Sequence, residues 1–298
     1  MSEKTEQMSA NVQKLLEKEK ANKQMLSFLT HTLNNSLGTA PEILRQTIYL
    51  LNREYEKEIA HYKAIKNILS LLTTFSIIEN LIQTVKQYTT EPEIFQLSWQ
   101  QDNQGEGSID LVIAFALRQT LGRIFFQSSR KLKTFLPENT EFSQYLKQLQ
   151  HAFMEEIIVL ELNSQNYDKI LTWIKQHFDI FVFDFEAASK KIHFGINSTR
   201  FIFLFSTLSE VIFNALKYSD GQNKIQLVWG SKEDEYYFTC TNSFNPKLRY
   251  KEQGSQKGLE FIGKLITMLK ESRLTYREEN HKFMVKITFS KVNFEETT

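Results

Sequence analysis

At residue 178 the apolar residues of this chain change period, and that change limits the available folds more than any other feature. Before it, apolar positions recur at steps of three and four; after it, aromatic-rich segments alternate at every second position. Steps of three and four mark one face of a helix, and alternation marks a half-buried strand. "FDIFVFDFE" (178–186) reads as a strand, and "KKIHFGIN" leads into a helix over 199–218. "NKIQLVWGSKEDEYYFTCTNS" is a hairpin signal, two alternating strands around a polar turn. A helix in "KGLEFIGKLITMLKES" and two last strands, "RLTYREE" and "KFMVKITFSK", complete the chain. The order strand, helix, hairpin, helix, hairpin predicts an α+β sandwich with helices on one face of a mixed sheet.

The first half reads mostly as helices. Between residues 24 and 53, Leu26, Leu29, Leu33, Leu37, Ile43, Leu44, Ile48 and Leu51 form one apolar stripe. A second run, 56–88, follows the charged turn "NREYEKE". Two such helices make an antiparallel hairpin over 24–88. Its wide apolar face predicts pairing with a second copy, a dimeric four-helix bundle. Residues 1–23 read as a charged helical or disordered lead-in. Residues 89–108 are a polar break, and 109–175 read as helices, so that 89–175 forms a helical connector or insertion. The α+β unit then spans 176–291, with a tail at 292–298. Only 10 glycines and 4 prolines in 298 residues agree with long helices and few tight turns.

A net charge of +1 argues against a nucleic-acid partner. The charged N-terminus lacks the apolar core of a signal peptide. "FIFLFSTLSEVIFNAL" (201–216) comes closest to a membrane span but is broken by Ser206, Ser209, Glu210 and Asn214. The expectation is a cytoplasmic protein without membrane insertion. Cys240 is the single cysteine, which excludes a disulfide framework and CxxC-type zinc sites.

Two stretches carry chemistry. In "LSEVIFNALKYSDG", Glu210, Asn214 and Lys217 stand at i, i+4 and i+7, on one stripe of a helix that is otherwise apolar. Polar groups there are costly unless they pair or act. An amide oxygen is a hard ligand for Mg²⁺, an ammonium offsets phosphate charge, and a carboxylate orients or deprotonates a nucleophile. The plainer alternative is a solvated helix edge with a Glu–Lys contact. In "EQGSQKGLEFIGKL", Gly254, Ser255, Gln256, Lys257 and Gly258 make a basic loop running into a helix start. Free backbone N–H groups plus a lysine suit phosphate; a simple capped loop is the alternative.

Together and in this order, the two stretches resemble the ATP-binding domain of sensor histidine kinases, the Bergerat fold shared with gyrase, Hsp90 and MutL. "EVIFNALKYS" is similar to that family's N-box, with Glu210, Asn214, Ala215, Lys217 and Tyr218 on motif positions. The resemblance implies that Asn214 holds Mg²⁺ and the phosphates of ATP, and that Glu210 acts near the γ-phosphate. It also implies that Lys217 contacts phosphate and Tyr218 lines the nucleotide pocket. "GSQKGLEFI" is similar to the second glycine box, with Gly254 in the ATP lid and Lys257 and Gly258 at the following helix start. The family's Asp-x-Gly-x-Gly box is replaced by "TNSFNP": Asn242 stands at the Asp position, and both glycines are missing. An amide oxygen accepts the adenine amino hydrogen without charge, hence more weakly. Peptide-sensing histidine kinases of Gram-positive bacteria show a similar "NS".

In the same family a dimerising hairpin carries the phosphoacceptor. "FLTHTLNNSLG" resembles its H-box, which makes His31 the candidate acceptor, with Asn35 at +4. A neutral imidazole is nucleophilic near pH 7. The residue after it is Thr32, where most members have Asp or Glu, and Ser36 replaces a frequent proline. The expected function is ATP·Mg²⁺-dependent autophosphorylation of His31 in a homodimer, with transfer to a response regulator. Alternatives are a catalytically degenerate scaffold acting on a partner kinase or regulator, and a phosphotransfer protein whose histidine receives phosphate from an aspartate.

Overall fold

The computed structural model describes residues 13, 92–101, 105, 107–127, 148–158, 160, 165–185, 192, 194–196, 198–244 and 257–294. The expected hairpin at 24–88, with His31 and Thr32, lies outside them, as do Gly254 and the rest of the 245–256 loop.

Among the described residues, named helical elements come first: α1 (Pro92–Gln101), α2 (Ile109–Gln127), a π-helical turn (Phe153–Ile158) and α3 (Tyr167–His177). Strand β1 (Phe181–Phe185), helix α4 (Thr199–Tyr218) and the hairpin of β2 (Ile225–Lys232) and β3 (Glu235–Ser243) follow. Helix α5 (Lys257–Ile266), strands β4 (Arg273–Glu279) and β5 (Lys282–Ser290), and a 3₁₀ turn (Lys291–Asn293) complete the order. From residue 178 onward this is the arrangement expected from the pattern.

The five strands form one mixed sheet in the order β1-β2-β3-β5-β4. β1 pairs with β2 in parallel, and the other pairs are antiparallel. The register aligns Leu227 with Cys240 and Val285, and Trp229 with Phe238 and Ile287. All six are buried, so alternation has collected them on the face that carries the helices. The edge strand β4, "RLTYREE", is exposed over nearly its whole length. Its charges discourage further strand pairing.

Helix α4 lies between this sheet and helix α2, and packs against β3, α1 and α5 as well. Its start is fixed by Ser198, whose hydroxyl accepts from the Phe201 N–H at 3.2 Å. Phe201, Ile202, Phe203, Leu204 and Phe205 are all buried, so this run of the first half is covered on every side. By length and composition α4 is the one helix among the described residues long and apolar enough to cross a membrane, and most of it is buried inside the molecule. That composition has a local cause here: neighbours cover every face of its first half.

Helix α2 runs parallel to α4. Both start from one β-bridge, in which the Gly107 N–H donates to the Phe194 carbonyl at 2.8 Å and the Phe194 N–H donates back at 3.2 Å. A side chain at Gly107 would place its Cβ 2.5 Å from the Phe194 oxygen, so only glycine fits. Further along, the Thr120 hydroxyl approaches the Ser209 carbonyl at 3.5 Å. Helices α1 to α3 and the sheet share one hydrophobic core.

One expectation changes. Part of the polar break at 89–108 is helix α1. Phe95 and Trp99, four residues apart, are buried, and Trp99 meets Phe203 edge-on at 5.1 Å. Two large aromatics on one turn outweigh the polar residues around them.

Candidate functional site

The second half of α4 differs from the first. Val211, Ile212, Ala215 and Leu216 stay buried, while Glu210, Phe213, Asn214, Lys217 and Tyr218 are only partly covered. The expected stripe therefore opens toward solvent. Asn214 Nδ2 donates to Glu210 Oε1 at 3.3 Å. This i,i+4 bond orients the amide: the nitrogen is committed along the helix, which leaves Oδ1 on the other side of the group. Lys217 Nζ stands 4.9 Å from the centroid of the Tyr218 ring, near the C-terminal end of the helix, where its dipole favours a cation.

The exit from α4 is tied to the end of β3. The Ser219 N–H closes the last turn on the Ala215 carbonyl at 3.0 Å. The Ser243 hydroxyl donates to Asp220 Oδ1 at 2.5 Å, the Asp220 N–H donates to the Ser243 carbonyl at 3.3 Å, and the Asn223 N–H donates to Ser243 Oγ at 3.3 Å. Gly221 sits inside this loop at φ +73°, a conformation suited to glycine. Asn242, one residue before Ser243, is buried at 2% exposure on the helix-covered face of the sheet. Its Nδ2 donates to the Ser243 carbonyl at 3.0 Å.

The fold thus gathers Glu210, Asn214, Lys217 and Tyr218 on one half-helix, and joins the strand that carries Asn242 to that helix's exit. Lys257 and Gly258 form the start of α5, which packs against α4. His31 and Gly254 lie outside the described residues.

One participant was not singled out from the sequence. Arg123, on α2, holds its guanidinium 3.4 Å from the Phe213 ring centroid. Burial pushes its pKa down to about 10, and the charge of Glu210 pulls it back up, so it stays protonated at neutral pH. The available signal was an arginine inside an apolar helix. Arg118, on the same helix, shows the structural use of such a residue. It is buried, its pKa is pushed down to about 10 by that burial, and it donates to the Leu160 carbonyl at 2.6 Å. Cys240 is also structural: burial pushes its thiol pKa well up, which keeps it unreactive.

No group of three or more His, Cys, Asp or Glu among the described residues is placed to hold a metal ion. The hard donor left open is the Asn214 amide oxygen, on the side of the amide away from Glu210. It fits Mg²⁺, which takes one or two protein oxygens and completes its shell with water and phosphate.

No family model and no curated protein matches the chain. Among solved structures it is similar to the histidine kinase AdeS of Acinetobacter baumannii, at 16% identity and a TM-score of 0.31, over 59% of this chain and 96% of that one. It is similar to the catalytic domain of the histidine kinase ThkA at 16% identity and a TM-score of 0.31, over 43% of this chain and 88% of that one. A third likeness is to the histidine kinase domain of the blue-light activated histidine kinase EL346 of Erythrobacter litoralis, at 13% identity and a TM-score of 0.31, over 62% and 95% of the two chains. Each of these three is a histidine kinase or a domain of one.

Proposed function

We propose that this chain is a cytoplasmic, homodimeric histidine-kinase-like signalling protein. It binds ATP with Mg²⁺ along the open half of α4 and passes the γ-phosphoryl group to His31, from which a response-regulator aspartate receives it. The observation that carries the reading is the Glu210–Asn214 hydrogen bond at 3.3 Å on the open half of an otherwise buried helix. Phosphoryl transfer asks mainly for positioning and charge neutralisation, which this set of side chains supplies. Asn214, with Glu210 beside it, would hold Mg²⁺; when bound, the ion spreads the negative charge of the phosphates. Lys217 offsets phosphate charge, Tyr218 lines the base pocket, and Asn242 offers its amide oxygen to the adenine amino group. Gly254, Lys257 and Gly258 shape the lid side. Glu210 orients the incoming imidazole or takes its proton. That share is the larger because Thr32, next to His31, is a poor base.

A second reading is a catalytically degenerate scaffold that regulates a partner kinase or response regulator. The buried Asn242, whose amide is committed to the Ser243 carbonyl, favours it. Incubation with γ-labelled ATP and Mg²⁺ decides between the two. Acid-labile label on the wild type, absent from His31→Gln, supports the kinase. No label, together with no nucleotide-dependent rise in Tm, overturns it in favour of the scaffold.

A further inference from the structure

Arg123 lies far in sequence from every motif used above, yet its guanidinium reaches the same turn of α4. The route is geometric. Helices α2 and α4 start together at the Gly107–Phe194 bridge and run in parallel, so Thr120 meets the Ser209 carbonyl. One turn later Arg123 meets Phe213, at 3.4 Å from guanidinium carbon to ring centroid. Phe213 is three residues from Glu210, a neighbour on the helix surface, and directly precedes Asn214. The ring face holds the flat guanidinium by stacking and by cation–π attraction. Beside it, Glu210 receives the Asn214 amide. Among the described residues, the carboxylate thus has the Asn214 amide on its own helix and the charge of Arg123 from α2 acting on it.

We propose that Arg123 is a positioning residue for Glu210: held flat on Phe213, it fixes the carboxylate in the orientation that also receives the Asn214 amide. This rests on the reading that Glu210 acts in phosphoryl transfer. It makes α2 part of the site, although no motif of the site lies on it. Arg123 itself takes no part in bond making. Its removal lets the carboxylate swing, which slows transfer and leaves nucleotide affinity nearly unchanged. The cationic side chain has half-buried stacking to lose, so lysine restores its function only in part.

The test uses the full chain with γ-labelled ATP and Mg²⁺, measuring the rate of phosphohistidine formation at saturating ATP, KM, and the affinity for a fluorescent ATP analogue. Arg123→Gln is expected to lower the saturated rate by about 10–100-fold, with KM and affinity held within about threefold. Arg123→Lys recovers part of the rate. In a Glu210→Gln background, Arg123→Gln adds less than about threefold, because the group it serves is gone. The proposal is overturned if Arg123→Gln matches the wild type, if its loss falls on KM alone, or if the loss is equally large in the Glu210→Gln background. Should Arg123→Gln fail to fold, Phe213→Leu removes the platform and keeps the charge. An intermediate rate loss then supports the proposal, and an unchanged rate overturns it. A wild type that neither binds the analogue nor forms phosphohistidine overturns the kinase reading itself, and the proposal with it; the variants' failure alone overturns only the proposal.

Discussion

The two halves of α4 put polar side chains to opposite uses. In the first half Arg200 is 2% exposed, and its guanidinium donates to the Trp99 carbonyl at 2.7 Å and the Phe294 carbonyl at 3.5 Å. In the second half Glu210, Asn214 and Lys217 are partly exposed, and Asn214 bonds its own helix neighbour rather than the backbone of another segment. A charge that reaches fixed carbonyls of two distant segments is part of the architecture. Partly exposed groups bonded to each other, as Glu210 and Asn214 are, can exchange that contact for another at small cost. Burial alone does not separate the two cases; the kind of partner does.

The contrast can be broken at four points. The largest expected effect is Phe201→Ala, in the buried half, which should lower stability by about 3–5 kcal/mol. Urea unfolding measures it, and a loss under about 1 kcal/mol would show that the first half is not core. Asn214→Ala should do the reverse. Stability stays within about 1 kcal/mol and Mg-nucleotide binding weakens at least about a hundredfold, near 3 kcal/mol. Titration calorimetry with unchanged affinity would move the site off this stripe.

Asn242→Asp restores the motif residue of the resembled family, and should nonetheless destabilise by about 1–3 kcal/mol. The donor to the Ser243 carbonyl becomes an acceptor facing an acceptor, beside a Ser243 hydroxyl already given to Asp220. A more stable variant, read by thermal unfolding, would sink this account. The smallest effect is Ser198→Ala, which removes the N-cap and should cost about 1 kcal/mol. Nucleotide affinity should not move, since the cap lies at the far end of the helix from the stripe.

What the sequence disclosed follows from the range of each interaction. The stripe of Glu210, Asn214 and Lys217 was legible because helical spacing is local. The sheet was legible because alternation and hairpin signals are local too. Helix α1 was missed: its polar residues mask two aromatics whose burial depends on Phe203, a hundred residues later. Arg123 was missed for the same reason, since its value comes from a parallel helix pair that no local pattern announces. The position of Asn242 was read, but the commitment of its amide was not, because that depends on the backbone path of one turn.

The Arg200 contacts also bear on the order in which the chain can fold. Its acceptors are 101 positions before it and 94 after it, and Trp99 Nε1 donates to the Asn293 carbonyl across 194 positions. Contacts so distant form late, because long loops must close first. A chain still being synthesised has α4 long before it has Phe294. Until that residue emerges, the Arg200 guanidinium has its Trp99 acceptor but not its Phe294 one. A ribosome-bound intermediate would therefore carry the site residues before the opposite end of their helix had gained its last partner.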